Sequence, residues 1–157
     1  MKKWLLLLAI IILVTLQLIW PNFLIFFNCK PDLLLIFTVS LVFYLDFKTA
    51  LIFGFFAGLA KDIFLPSSFA INTIFFGIWS YLVNCLSGQI STENNYVRLG
   101  IILIVTFLNN IISGLLIISS GGIIPLGIFL RNLIILLVYS VALAPLIFKL
   151  IKKITLY

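Results

Sequence analysis

The sequence predicts an all-α integral membrane protein, a compact bundle of about six short transmembrane helices in a single transmembrane domain, residues 1–157. Of the 157 residues, 64% are hydrophobic and 9% are charged, whereas a soluble domain of this length is roughly a quarter charged. Apolar runs such as Leu5–Leu16 are continuous. Continuous runs favour helices, because the strands of a membrane barrel alternate apolar and polar residues.

The first two predicted helices, residues 4–20 and 31–45, each follow a basic residue. The first is longer than the roughly 7–15-residue apolar region of a signal peptide and has no small-x-small cleavage site after it, so we expect a retained anchor. The second begins at Pro31, which has no helical amide bond to lose, and Asp32 in its first turn suits the helix dipole. It is short for a span, since a crossing needs about 20 residues.

The other four predicted helices are separated by short polar turns. They are residues 49–65, 69–86, 96–118 and 125–148. The turns contain Asp46 and Lys48, then Pro66-Ser67-Ser68, then the polar stretch Ser87–Asn95, and last Ser119-Ser120-Gly121-Gly122. These connections are too short to hold an extramembrane domain.

The positive charges predict that both chain ends lie in the cytoplasm. With the amino terminus inside, seven basic residues are cytoplasmic and three lie in the outer half. The inner set is Lys2, Lys3, Lys48, Arg98, Lys149, Lys152 and Lys153, and the outer set is Lys30, Lys61 and Arg131. This excess predicts an N-in/C-in multi-pass protein by the positive-inside rule. We therefore attribute the excess of basic residues to the orientation of the chain in the membrane, and we expect no nucleic-acid partner.

The chain offers few groups for catalysis. It has no histidine, two cysteines and four acidic residues, which excludes a histidine-ligated metal site and a histidine-based triad. Cys29 and Cys85 fall on opposite sides of the predicted topology, so we expect free thiols. Asp32 and Asp62 alone are a thin supply of metal ligands. We expect no catalytic residue, no metal and no cofactor.

Small residues mark one face of the third predicted helix. Ala50, Gly54, Gly58 and Asp62 recur every four residues, so they share a face. Small side chains let another helix approach closely in a membrane. Packing inside the bundle is the favoured interpretation, and an interface with a partner protein is the alternative.

Three charges from separate predicted helices fall at similar depth near the outer surface. Asp32, Asp62 and Arg131 form this predicted cluster, and each charge at membrane depth costs about 2.5–3.5 kcal/mol unless it is paired or reaches water. We expect Arg131 to pair with Asp62, Asp32 or both, and Lys30 and Lys61 to reach the outer headgroups. A structural ion pair is favoured over a functional cavity or docking site.

Polar residues also interrupt the fifth predicted helix. They are Asn109, Asn110, Ser113 and Gly114. Such groups usually hydrogen-bond between membrane helices, so helix packing is the favoured interpretation.

Two segments resemble the MreD family of rod shape-determining membrane proteins. Lys30–Ile36 (KPDLLLI) is similar to the motif that opens the family's second helix, and Gly54–Asp62 (GFFAGLAKD) to its glycine-rich third helix. The pattern continues through Pro66–Thr73, although Phe69-Ala70 stands where the family usually has a glycine before the asparagine. The matching motif residues are Pro31, Asp32, Gly54, Gly58, Asp62 and Asn72.

The resemblance implies a non-enzymatic scaffold subunit of the bacterial cell-elongation (rod) complex in the inner membrane. The implied partners are an MreC-like membrane protein, an MreB-like filament, and a peptidoglycan polymerase and transpeptidase. It also implies a fold similar to the substrate-binding subunits of energy-coupling-factor vitamin transporters. Membrane lipid is a further expected partner of the terminal lysines. The competing hypothesis, based on the outer charges, is a small-molecule-binding subunit of a transporter.

Overall fold

The computed structural model describes residues 3–19, 29–64, 71–90, 94–123 and 125–156. Within these ranges the regular structure is helical, with six helices, as the sequence predicts. They are α1 (Lys3–Leu18), α2 (Leu33–Val42), α3 (Phe47–Phe64), α4 (Ile71–Ser87), α5 (Asn95–Ser119) and α6 (Leu126–Leu156).

Helix α2 lies at the centre of the bundle. All ten of its residues are buried, and it contacts each of the other five helices. Because protein surrounds it, α2 is apolar on every side, and the hydroxyls of Thr38 and Ser40 donate to backbone carbonyls one turn back, at 2.8 and 2.6 Å. A ten-residue helix rises about 15 Å. That length is about half the thickness of a membrane's hydrocarbon layer, which is roughly 30 Å.

The largest differences from the predicted helix boundaries are in α2 and α6. The second helix is Leu33–Val42 instead of residues 31–45, because Asp32 is its N-cap and not part of its first turn. The Asp32 carboxylate accepts a hydrogen bond from the Leu35 amide at 3.2 Å. Helix α6 continues past the predicted end at residue 148 to Leu156. Lys149, Lys152 and Lys153, which follow the predicted end, are compatible with a longer helix because positive charges are favourable near the carboxyl-terminal end of a helix dipole. The predicted boundaries at residues 20, 65 and 69 lie outside the described residues.

Two helices are long and apolar enough to cross a membrane by themselves. They are Asn95–Ser119 and Leu126–Thr155, each with a mean hydropathy of 2.5. Helix α3 has 18 residues but carries Lys48, Lys61 and Asp62, and the remaining helices are shorter. Large apolar side chains on α5 and α6, among them Ile104 and Val138, are exposed. Apolar surface of this kind marks contact with lipid or a partner.

Side-chain contacts define two polar levels in the bundle. At one level the start of α2, the end of α3 and the start of α4 meet. We call this level the carboxylate end (Asp32, Lys61, Asp62, Asn72 and Thr73). At the opposite level Arg98, in the first turn of α5, contacts Tyr44, which follows α2. We call that level the basic end (Tyr44, Arg98, Lys149 and Lys152).

Candidate functional site

The small-residue face of α3 brings α3 and α4 into close contact. A methyl group placed on Gly58 would lie 2.6 Å from Cα of Thr73 and 2.7 Å from the Asn72 carbonyl oxygen. On Gly54 it would lie 2.6 Å from the Ser80 hydroxyl oxygen. Ala50, on the same face, is completely buried. This face therefore packs inside the chain, and a partner helix would have to displace α4 to reach it.

The Asp62 carboxylate caps the start of α4. One oxygen accepts from the Asn72 amide at 3.2 Å and from Asn72 Nδ2 at 2.7 Å. The other accepts from the Thr73 amide at 2.8 Å and from the Thr73 hydroxyl at 2.6 Å. The first amides of a helix have no partner within it, and a negative charge is favourable at that end. Asp62 thus supplies from α3 the cap that α4 needs, and the close approach at Gly58 makes it possible.

Asp32 forms an ion pair with Lys61. The Lys61 ammonium donates to the second carboxylate oxygen of Asp32, while the first caps α2. The two side chains are 19% and 13% exposed, and the ammonium also lies 5.2 Å from the centroid of the Phe76 ring. The expectation that Lys61 reaches the outer headgroups is therefore wrong, because a carboxylate on α2 lies within its reach.

Arg131 does not make the predicted ion pair with Asp32 or Asp62. Its guanidinium is exposed and lies 3.4 Å from the side-chain oxygen of Asn132, while both carboxylates bind donors on neighbouring helices. Burial raises the pKa of the Cys29 thiol, and the Arg131 charge opposes that rise. Asp32 and Asp62 are therefore connected because Lys61, which pairs with Asp32, directly precedes Asp62 in the chain. Arg131 is not part of this connection.

A polar cavity of about 180 Å³ lies beside the ion pair, between α1, α2, α3, α5 and α6. Its lining is mostly polar and consists of Gln17, Lys30, Asp32, Lys61, Thr106, Asn109, Asn110, Ser113, Leu136 and Ser140. A water molecule occupies about 30 Å³ in the liquid. The cavity therefore has the size for several waters or one small polar solute.

Two buried polar atoms of this lining have no hydrogen-bond partner among the described residues. They are Oε1 of Gln17 and the hydroxyl oxygen of Thr106, in side chains that are 8% and 3% exposed. A buried acceptor without a partner costs about 1–3 kcal/mol. Each of these two atoms has less than 1 Å² of accessible surface, so neither opens into the cavity. Gln17, Thr106 and Ser140 are not among the residues that the sequence predicts for a site, although each is a polar residue inside an apolar run.

The polar residues predicted on α5 serve different purposes. Asn109 accepts a hydrogen bond from the Trp79 indole of α4 at 3.0 Å, an interhelical contact of the expected kind. Asn110 instead donates to the Thr106 carbonyl of its own helix at 2.8 Å. A methyl group on Gly114 would lie 2.5 Å from the Phe129 ring, so this glycine permits close packing between α5 and α6.

The chemistry of the carboxylate end is capping and charge pairing. Asp62 accepts hydrogen bonds on both oxygens, and Asp32 combines an ion pair with a helix cap. Among the described residues, no three histidine, cysteine or acidic side chains are placed to hold a metal ion. The arrangement connects α2, α3 and α4 through partly buried charges, which are costly when one partner is missing.

Comparison with known proteins identifies the family. A family model for the rod shape-determining protein MreD matches residues 1–154 of the chain. No curated protein and no solved structure matches the chain. The family match covers nearly the whole sequence, including the motif residues at the carboxylate end, and it confirms the resemblance found in those motifs. The chain therefore belongs to the MreD family of membrane-bound rod shape-determining proteins.

Proposed function

We propose that this chain is a non-enzymatic scaffold subunit of the rod complex, supporting cell shape and lateral peptidoglycan synthesis through an MreC-like protein. The observation that carries the proposal is the family match over residues 1–154, which connects the chain to rod shape determination. An MreB-like filament and a peptidoglycan polymerase and transpeptidase are the further partners of this proposal.

The contacts of the acidic residues support a structural role over a catalytic one. Asp62 binds the start of α4 through both oxygens, and Asp32 is paired with Lys61. A carboxylate that acts as a general base must be within hydrogen-bond reach of a substrate proton. The partners of Asp32 and Asp62 already occupy those positions.

We also propose that the chain crosses the bacterial inner membrane several times with both ends inside. The excess of basic residues on one side, seven against three in the predicted topology, supports this orientation. The fold adds that Arg98, Lys149 and Lys152, from two different helices, line one cavity at the basic end. A cytoplasmic basic end accounts for that grouping.

An MreC-like partner requires a surface other than the small-residue face, which α4 covers. The exposed apolar side chains of α5 and α6 provide candidate contact area within the membrane. The basic end provides a second candidate surface, at the membrane boundary.

Depletion of the protein from a rod-shaped host tests the scaffold proposal. We expect rods to become round, re-expression to restore the rods, and an MreC-like protein to co-purify with the tagged chain. Asp62→Asn should weaken both complementation and co-purification if the α3–α4 contact is required for the scaffold. Depleted cells that keep their rod shape and their rate of lateral wall synthesis would contradict the proposal.

The polar cavity favours a second candidate function, a small-molecule-binding subunit of a transporter. Its polar lining, which includes Asn109, Asn110 and Ser113, provides hydrogen-bonding capacity for a polar solute. The family resemblance also implies a fold like that of vitamin-transporter subunits, which agrees with this candidate. Ser113→Ala removes a hydroxyl from the cavity lining with little change in volume. Loss of solute uptake in this variant, with rod shape retained, would favour the transporter; normal uptake and normal shape would favour the scaffold.

A further inference from the structure

The basic end contains a cavity with a volume of about 620 Å³. It lies between the residues after α2, the start of α5 and the last turns of α6, and its cations are Arg98, Lys149 and Lys152. None of the described residues that line it is acidic. Binding pockets for small ligands typically occupy about 300–1,000 Å³. The cavity therefore combines the size of a ligand site with a concentration of positive charge.

Neighbouring aromatic residues hold the Arg98 side chain in place. Its Nη1 donates to the Tyr44 hydroxyl at 2.7 Å, and its Cζ lies 4.7 Å from the Tyr44 ring centroid and 5.9 Å from that of Phe43. A guanidinium carries five N–H donors in a rigid plane, a geometry that suits phosphate. The contacts with Tyr44 and Phe43 orient that plane before any ligand arrives.

The other positive charges come from the carboxyl-terminal end of α6 and the amino-terminal end of α5. Lys149 and Lys152 are three positions apart on α6, so they share a face, and both are exposed. Asn95, the first residue of α5, also lines the cavity. The amino-terminal end of a helix carries partial positive charge and favours anions. The cavity thus presents an oriented guanidinium, two exposed ammonium groups and a helix start to a single volume.

The rest of the cavity wall is apolar and continues into exposed apolar surface on α5 and α6. Leu99, Pro145 and Phe148 form the apolar part of the lining. Beside them on the same helices, Leu103 and Leu146 are exposed. A soluble anion gains nothing from such surface, whereas the first carbons of an acyl chain would lie along it. Basic pockets between membrane helices at the cytoplasmic boundary are typical sites for anionic lipid headgroups.

We propose that the basic-end cavity binds the headgroup of an anionic phospholipid. Arg98 holds the phosphate, Lys149 and Lys152 complete its charge neutralisation, and the acyl chains lie against the adjoining apolar surface of α5 and α6. This inference is independent of the proposed scaffold role, because it concerns the purified protein and its lipid.

Lipid competition on the purified full-length protein tests the site. The protein is equilibrated in detergent with phosphatidylglycerol and phosphatidylcholine, and bound lipid is measured by native mass spectrometry. Lys149→Gln and Lys152→Gln are compared with Lys153→Gln, which removes the same charge from an exposed neighbour outside the cavity lining. We expect wild type to prefer phosphatidylglycerol. We expect Lys149→Gln or Lys152→Gln to weaken that binding about fivefold, as the loss of one lysine at an anionic surface implies.

Lys153→Gln should behave like wild type, and all variants should keep their unfolding temperature in the absence of added lipid. Equal retention of the two lipids would overturn the proposal. An equal loss of binding in Lys153→Gln would also overturn it, because the effect would then be diffuse surface charge. Glycerol 3-phosphate or an acidic peptide serves as the soluble competitor. If either displaces the lipid fully or stabilises the protein as well as phosphatidylglycerol does, the site belongs to a soluble anion or a protein partner.

Discussion

Asp62 is the side chain whose removal tests the carboxylate end most directly. In Asp62→Asn an amide N–H₂ replaces one acceptor oxygen and faces the donors of Asn72 or Thr73. Hydrogen bonds to a charged group contribute about 1.5–3 kcal/mol, so we expect the free energy of unfolding to fall by about 2 kcal/mol. Denaturant titration in mixed micelles measures this change. Asp46→Asn, at an exposed position before α3, is the matched control and should have little effect; equal losses in both variants would contradict the capping role.

The ion pair between Asp32 and Lys61 predicts coupling between its partners. Lys61→Met alone leaves the Asp32 charge partly buried without its ammonium, which is more destabilising than removing both charges. Asp32→Asn keeps an oxygen for the cap of α2 and removes only the charge. In a double-mutant cycle measured by the same titration, we expect the pair of substitutions to cost less than the sum of the single ones, with a coupling of about 1–3 kcal/mol. Strict additivity would show that the two side chains act independently.

Sequence reasoning singled out Asp32 and Asp62 but did not identify their partners. A charge stands out in a chain that is 64% hydrophobic, so Asp32 and Asp62 could be singled out from composition and spacing. Their partners depend on how each helix is rotated. Lys61 and Asp62 are adjacent, and adjacent residues on a helix point about 100° apart, so one reaches α2 and the other reaches α4. The pairing with Arg131 was wrong because charge and depth alone do not determine that rotation.

The packing of α3 against α4 depends on glycines that can be tested against a matched position. A methyl group on Gly58 would lie within 2.7 Å of Asn72 and Thr73 backbone atoms, whereas one on Gly77 has no neighbour within 4 Å. Both glycines lie inside helices. Gly58→Ala should therefore destabilise the protein by about 1–3 kcal/mol through overpacking. Gly77→Ala should be neutral or stabilising by up to about 1 kcal/mol, since alanine favours helix.

Unfolding in the same micelle system distinguishes these two expectations. If Gly58→Ala is as stable as Gly77→Ala, α3 and α4 are not in backbone contact at this point.

The number of helices could be predicted because each apolar run is bounded by polar turns. The central position of α2 could not, because its uniform apolar character matches a lipid-facing span and a protein-surrounded core helix equally well.

The bundle as a whole separates its polar groups into two levels, and this separation predicts how it sits in the membrane. Helix α4 starts at the carboxylate end, so Gln89, just after it, lies at the opposite level. Helix α5 starts at the basic end with Arg98, so Ser120 follows it at the carboxylate level. Both residues are exposed. If the basic end is cytoplasmic, as the positive-inside rule implies, Ser120 faces outward and Gln89 faces inward.

Single cysteines at these two positions test that orientation in a background with Cys29→Ala and Cys85→Ala. A membrane-impermeant maleimide applied to intact spheroplasts should label Ser120→Cys and leave Gln89→Cys unlabelled until the cells are lysed. Removing the native thiols is necessary because Cys85 is exposed and would itself react. The opposite labelling pattern would place Arg98, Lys149 and Lys152 outside the cell. It would then assign the carboxylate end, with its polar cavity and its ion pair, to the cytoplasmic half of the membrane.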